Sequence, residues 1–447
     1  MLLICLAVIV LDGYDVIVYG ATLPALLAYP EWALTPATVG LIGSVSTIAG
    51  IIVTLPAGYL VDRFGPRRVL LIATAVFSLG TLACGVAPSV EIFIVARFVV
   101  GLGLKPIVPA CIVLVLEYAP VARKVFFGNA TQTGWSIGGI IASACAVVLV
   151  PAFGFRPSYI LGGVLLVVVF PFMLRYLPES LTYLARTGRV AEARAVAAQY
   201  SVDIEPLLAV DRTEPTGGRW DSLKIVLSRR YLRATIVFSV VSFLGFLLAY
   251  GIGTWLPAIM VKMGYPLGAS ISFLVALNMG NVVGILVAGR LADRYGPRAT
   301  LAWSMLIAAV IFAVLSIAMP QVALYALIAA AGFGAQGTSV LLLTYTGTYY
   351  PTSARGTALG FVVGIAGFGA IAGPIVGGLV AGSTLAPAWN FYIFAAVAVL
   401  AGLSILLVPN HRAPGGEPAP VTGPALAEAL AADIQGDAEQ RDGSTPR

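Results

Sequence analysis

The sequence predicts an all-α membrane protein: twelve transmembrane helices in two six-helix bundles, with both termini cytoplasmic. Three observations carry this. Of 447 residues, 59% are hydrophobic and only 10% are charged, whereas soluble globular chains carry roughly 25% charged residues. The apolar residues fall into twelve runs, most of them close to the roughly 20 residues that cross a bilayer. A polar signature occurs twice, as GYLVDRFGPRR at 58–68 and GRLADRYGPR at 289–298, each following the second run of its half.

The runs lie at 2–27, 37–61, 67–87, 90–117, 127–150, 158–177, 234–258, 267–289, 299–318, 321–345, 356–382 and 388–408. Residues 1–177 therefore form an amino-terminal bundle and residues 234–408 a carboxy-terminal one. Between them lies a polar cytoplasmic linker, 178–233. In it, Arg189 to Tyr200 (RVAEARAVAAQY) reads as an amphipathic helix and Glu214 to Arg219 (EPTGGR) as a flexible connection. The tail, 409–447, is rich in Pro, Gly, Ala and acids and is expected to be disordered. The first run is too long for a cleavable leader and carries two acids. Met1 stands almost inside it, which leaves open whether this is the natural start.

Basic residues gather in the cytoplasmic loops of membrane proteins. With a cytoplasmic amino terminus, Arg156 and Lys262 fall in outer loops and Arg97 and Lys105 inside a run, while every other one of the 26 Lys and Arg is cytoplasmic. That asymmetry accounts for the net charge of +6 without a nucleic-acid partner. Cys5, Cys84, Cys111 and Cys145 lie in apolar runs without CxxC spacing, and the single histidine, His411, lies beyond the last run. No metal or cofactor site is expected. No nucleotide loop or nucleophile triad is visible, so the chain does not read as an enzyme.

In the duplicated loops, Gly58 and Gly289 permit close helix approach. Asp62 and Asp293 sit near helix ends, where they can pair with arginines or helix termini. Gly65-Pro66 and Gly296-Pro297 make the tight turn. Two such halves around a central site are the architecture of a transporter.

The first run holds Leu11-Asp12-Gly13-Tyr14-Asp15 near its middle. Carboxylates at that depth are costly unless paired, protonated or wetted. Asp12 and Asp15 share a helix face, and Tyr19 follows one turn on. A proton or substrate site is the first reading, and a polar pair holding two helices together is the second. Away from the ends of the other runs, the charged residues are Arg97 and Lys105, both in the fourth, and Glu117 stands at that run's cytoplasmic end. Lys105 lies near the helix centre, and Arg97 two turns outward on nearly the same face.

A carboxylate ligand needs a fixed cation and an apolar slot. Arg97 offers a bidentate fork, Lys105 a point charge. Lys105 can bind substrate directly, pair with Asp15 until that acid is protonated, or only neutralise a buried acid. The second arrangement follows best from the energetics of buried charge. Glu117 serves either transport or a pairing with Arg123 or a neighbouring loop. Tyr19, Trp135, Phe246, Tyr250, Trp255, Tyr345, Phe361 and Phe368 are candidates for a ring slot. Small neighbours in GNATQTGWSIGG (128–139) favour Trp135. Glycines at 364–378 suggest a bendable eleventh helix.

The duplicated G-x-L-x-D-R-x-G-x-R pattern resembles the loop signature of the major facilitator superfamily. Arg97-Phe-Val-Val-Gly101-Leu-Gly103 and Leu177-Pro178-Glu179-Ser180 resemble motifs of its fourth and sixth helices. LDGYDVIVYGATLP (11–24), Glu117 to Pro120 and Tyr350 to Thr357 resemble the aromatic acid:proton symporters, which include benzoate and hydroxybenzoate carriers. The resemblance implies transport roles for Asp12, Asp15, Arg97 and Glu117 and gating roles for Asp62 and Asp293. Gly58, Arg63, Arg67, Gly289, Arg294, Arg298 and Arg355 belong to the same gating motifs. Lys105 stands where the family usually has glycine. The family's histidine near Arg298 and its arginine near Gly367-Phe368 are missing.

The expected function is secondary active transport: import of a small aromatic carboxylate with protons by alternating access. A monomer in the bacterial cytoplasmic membrane is expected, without cofactors. Proton coupling is expected at Asp12, Asp15 and Glu117, and substrate binding at Arg97, Lys105, Tyr19, Trp135, Tyr250 and Phe361. The alternatives are a symporter for another organic acid, a polyol or a sugar, a drug exporter, or a receptor with a transporter fold.

Overall fold

The protein is described here by a computed structural model covering residues 1–120, 124–200, 202, 204, 219–317 and 319–409. Regular structure among these residues is helical. The first half contains α1 (Leu2–Leu27), α2 (Pro36–Phe64), α3 (Pro66–Val86), α4 (Val90–Leu104), α5 (Ile107–Tyr118), α6 (Lys124–Phe153) and α7 (Arg156–Tyr176). Then come α8 (Leu181–Arg186), α9 (Val190–Gln199) and α10 (Arg219–Val226). The second half contains α11 (Leu232–Lys262), α12 (Leu267–Tyr295), α13 (Pro297–Leu315), α14 (Gln321–Tyr349), α15 (Thr352–Ala381) and α16 (Trp389–Ile405). Among the described residues, eleven segments are long and apolar enough to cross a membrane, α4 and α5 counting as one; α16, with 17 residues, is shorter.

The fourth run is not one continuous helix. It breaks at Lys105 and Pro106. Pro106 and Pro109 have no N–H to give the carbonyls of Leu102 and Lys105, and their rings crowd those carbonyls. Lys105 thus sits at a break at mid-membrane depth. In the linker, α9 spans Val190–Gln199, within the segment read as a helix, and α8 and α10 are further short helices. Most of the connection expected to be flexible, and the tail from residue 410 on, lie outside the described residues.

The two signature loops fold alike. Gly65 (φ 86°) and Gly296 (φ 82°) adopt a conformation that L side chains rarely take, and their N–H groups close on the carbonyls of Val61 and Ala292. Pro66 and Pro297 then open the next helices, where a missing N–H costs nothing. The repeat reaches further than the loops. Tyr118 and Tyr349 stand at the same offset as Gly58 and Gly289, and so do Arg67 and Arg298. Tyr118 donates to the carbonyl of Glu179 (2.6 Å) and Tyr349 to that of Pro409 (3.2 Å). Arg67 Nη2 donates to the carbonyl of Leu174 and Arg298 Nη2 to that of Leu406.

Small residues let the helices approach, as expected where lipid removes the hydrophobic drive between them. A Cβ on Gly13 would lie 1.9 Å from the carbonyl oxygen of Trp135, and one on Gly138 1.9 Å from that of Val10. These contacts lock α1 to α6. Across the halves, α2 meets α15, α6 meets α12 and α1 meets α11. At the face remote from the signature loops these contacts are tight: Ser44 donates to the carbonyl of Ile371 at 2.7 Å, and Gly40 abuts Pro374 and Gly378. Toward the loops, glycines no longer mark contacts between the halves. A Cβ on Gly58, Gly289, Gly356 or Gly360 would meet nothing within 4 Å. The close approach expected at Gly58 and Gly289 is therefore not made in this conformation.

Candidate substrate and proton site

Asp15 and Arg97 are both buried and form an ion pair, Nη1 to Oδ2, at 3.0 Å. Thr81 of α3 donates to the other oxygen of Asp15 at 3.2 Å. The guanidinium lies 5.0 Å from the centre of the Tyr19 ring, and the Tyr19 hydroxyl donates to the carbonyl of Val39. Each charge offsets the desolvation of the other, so neither is stranded. The pairing of Asp15 with Lys105 is thereby corrected: Arg97 takes that place. Arg97 projects from the unbroken part of α4. Lys105, at the break, runs along α2, where its Cγ would be 2.5 Å from a Cβ on Gly50.

Lys105 makes no ion pair within 4 Å among the described residues, although Asp12 lies close enough to feel its charge. It stands at the junction of two spaces. The larger is a cavity of about 230 Å³ between the halves, lined by Asp12, Lys105, Gln132, Trp135, Phe246, Tyr250 and Ser339 among others. The Phe246 and Tyr250 rings stack there, 6.0 Å apart and 15° from parallel. The smaller is a recess of about 30 Å³ lined by Asp15, Tyr19, Ser46, Thr47, Arg97 and Thr254. Leu104, Lys105, Trp135, Ala249 and Tyr250 border both. Asp12 and Asp15 share a helix face yet border different spaces. Arrangements of this kind can hold an anion at the ammonium, a ring among the aromatics and a proton on a carboxylate. No group of three or more His, Cys, Asp or Glu that could hold a metal occurs among the described residues.

Other expected residues lie elsewhere. Phe361 and Phe368 are exposed, at 37% and 54%, and border neither space. Trp255 is fully buried and braces α15 by donating to the carbonyl of Pro374. Tyr345 meets Phe238 edge-on. Ser46, Thr47, Thr81, Gln132, Thr254 and Ser339 were missed, and their only signal was polarity within an apolar run.

Glu117 lies away from the cavity. It accepts from Ser180 Oγ (2.7 Å) and from the Leu181 N–H (2.8 Å), holding the start of α8, so it meets a neighbouring loop. Beside it, Glu179 accepts from the N–H groups of Arg67 and Ser180. Burial pushes the Glu179 carboxyl above its usual range, against the pull of those N–H groups. Hydrogen bonds to charged groups contribute about 1.5–3 kcal/mol. Glu117→Gln is therefore expected to lower the thermal midpoint while proton-driven uptake persists. Unchanged stability with coupling lost would return Glu117 to the proton path.

The gating set is spread over the loop face. Asp62 reaches Arg186 of α8 at 3.8 Å, both exposed, rather than its own loop arginines. Arg63 lies against Tyr59 and Phe64, and Arg294 against Tyr295. Asp293 makes no ion pair among the described residues, and Arg355 is exposed.

Helical halves around a charged cavity, with segments long and apolar enough to cross a membrane, fit a multi-pass membrane protein. The family model of the Major Facilitator Superfamily matches residues 5–280 and 268–433, and the chain belongs to that family. It is 31% identical to the benzoate transport protein of Acinetobacter baylyi over 420 residues, 92% of this chain and 89% of that one. It is 32% identical to the gentisate transporter of Corynebacterium glutamicum over 400 residues, 89% and 84% of the two chains. Among solved structures, a D-xylose-proton symporter superposes with a TM-score of 0.67 at 17% identity, covering 91% of this chain and 97% of that one, a likeness of fold. The chain is thus a multi-pass protein of the cell membrane.

Proposed function

We propose that this chain imports a small aromatic carboxylate together with protons by alternating access of two six-helix bundles, 1–177 and 234–408. The observation that carries this reading is Lys105, a cation without an ion pair among the described residues, at the edge of an aromatic cavity that also holds Asp12. The substrate carboxylate sits at Lys105, and its ring lies against Trp135, Phe246 and Tyr250. Asp12 offsets Lys105 when ionised. Protonating Asp12 leaves the ammonium uncompensated, and an incoming carboxylate satisfies it. Proton and anion therefore load together. The similar benzoate and gentisate carriers support this substrate class. With the basic loops cytoplasmic, the open face is cytoplasmic and the conformation is the one that releases substrate.

The test is uptake into proteoliposomes under an inward proton gradient, screened over benzoate, hydroxybenzoates, gentisate, nicotinate and sugars. Accumulation of an aromatic acid that collapses with the gradient is the expected result, and its absence across the screen defeats the reading. Truncating one member of a buried charge pair costs about 2–5 kcal/mol. Lys105→Met should therefore weaken binding of the acid at least tenfold at every pH tested. Unchanged affinity would remove Lys105 from the site.

A further inference from the structure

Buried polar groups in folded proteins nearly always have a hydrogen-bond partner. Two residues that line the small recess break this rule together. Arg97 Nε and Ser46 Oγ are buried and have no hydrogen-bond partner among the described residues, and their residues are only 3% and 6% exposed. Asp15 forms part of the same wall. Its two oxygens accept one hydrogen bond each, from Thr81 and from Arg97 Nη1, and a carboxylate can accept about four. Three groups of one recess thus have unused capacity: a guanidinium N–H, a hydroxyl and a carboxylate. The recess measures about 30 Å³. A site that holds a water needs roughly 10–15 Å³ and two to four polar partners. The recess meets both conditions and is too small for an aromatic ring.

We propose that the recess is a water site, and that water bound among Arg97 Nε, Ser46 Oγ and Asp15 carries the proton between Asp15 and the substrate cavity. This rests on the proton-coupled reading above and adds a proton on Asp15 to the one that Asp12 loads with the anion. The route opens at Lys105, Trp135 and Tyr250, which border both spaces. When Asp15 loads, the water gives it one proton along their hydrogen bond. In the same step the water takes one from a hydronium of the cavity, which is left as neutral water. The relay water is regenerated and Asp15 alone gains a proton; unloading runs in reverse. The Arg97 N–H donates to the water's oxygen and the Ser46 hydroxyl accepts the water's second hydrogen, leaving one lone pair for the incoming proton, so Ser46 is a positioning residue. The other titratable groups around the pair are Tyr14 and Asp12 of α1, Cys84 of α3 and Tyr159 of α7, with Tyr19 beneath the guanidinium and Lys105 at the opening.

The experiment compares two modes in proteoliposomes, using the labelled acid that the wild type accumulates best, benzoate being the first probe. Accumulation driven by a proton gradient requires Asp15 to load and unload. Counterflow exchange of labelled for unlabelled acid does not. Ser46→Val fills the recess with methyl groups, Ser46→Ala removes the hydroxyl without adding bulk, and Ser46→Thr keeps the hydroxyl. Expected is a loss of accumulation of at least tenfold in the valine variant and about threefold in the alanine variant. Counterflow should stay within twofold of wild type in both, and the threonine variant should recover most of the accumulation. Wild-type accumulation in the alanine and valine variants would overturn the proposal. So would a parallel loss of counterflow or of benzoate affinity, which would make the recess part of the substrate site. Failure of the wild type to accumulate any aromatic acid would instead overturn the underlying reading, and shows before a variant is made.

Discussion

Asp15→Asn is expected to abolish gradient-driven accumulation and to lower the thermal midpoint of the protein. The amide keeps the shape of the carboxylate but can neither carry a charge nor load a proton. It leaves Arg97 buried beside a neutral group, where it now has a carboxylate partner at 3.0 Å. Breaking a buried ion pair by removing one member costs about 3–5 kcal/mol. Two effects are therefore mixed in the single variant, loss of the titrating group and loss of the counter-ion. The double variant Asp15→Asn/Arg97→Met separates them, because it removes both charges. Its thermal midpoint should return toward that of the wild type, since a pair replaced by neutral groups strands no charge. Its accumulation should stay at least tenfold below wild type, while counterflow exchange recovers part of its rate. Thermal melting in detergent and the two transport modes in proteoliposomes read these out. Accumulation regained by the double variant would make the pair a structural brace and leave Asp12 as the proton carrier.

Much of this architecture is legible in the sequence because it rests on local chemistry. A run of about 20 apolar residues has to satisfy its own backbone in lipid, so it becomes a helix. A Gly-Pro step after an aspartate and an arginine makes the same turn twice. The break at Lys105 is legible too, since Pro106 and Pro109 stand next to it. Partner choice was not legible. Asp15 and both cations lie at accessible depths, and only the direction of each side chain decides that Arg97 reaches the carboxylate while Lys105 turns along Gly50. The contact of Glu117 with Ser180 joins residues far apart in sequence, and no spacing rule announces it. Phe361 depended on something a sequence does not specify, namely how far the halves stand apart near the loops. Ser46 carried the weakest signal, a hydroxyl in a helix, where such groups usually bond to a carbonyl of the preceding turn.

Gly20→Ala is expected to stop transport by preventing closure of the face remote from the signature loops, whereas Gly253→Ala on the facing helix is expected to be tolerated. The two glycines oppose each other across the halves, but the space around them is not symmetric. A Cβ on Gly20 would lie 2.1 Å from the carbonyl oxygen of Gly253 and 3.1 Å from the Thr254 Cα. Both obstacles are backbone and cannot swing aside as a flexible side chain would. A Cβ on Gly253 would meet the Ile17 Cδ1 at 3.8 Å, ordinary van der Waals contact. The clash at Gly20 exists only while α1 and α11 are pressed together, so it acts on that conformation and spares the one in which this face is open. Overpacking costs about 1–3 kcal/mol and sometimes more. Each 1.4 kcal/mol changes the ratio of two states about tenfold, so the equilibrium should move about 5- to 150-fold toward molecules open at the remote face. Spin-label distances across α2 and α15 near Gly40 and Gly378 should then lengthen in Gly20→Ala. Accumulation and counterflow should both fall more than tenfold, because each needs the gate to close. Gly253→Ala should keep wild-type distances and transport within about twofold. Equal behaviour of the two variants would show that contact between α1 and α11 does not limit closure.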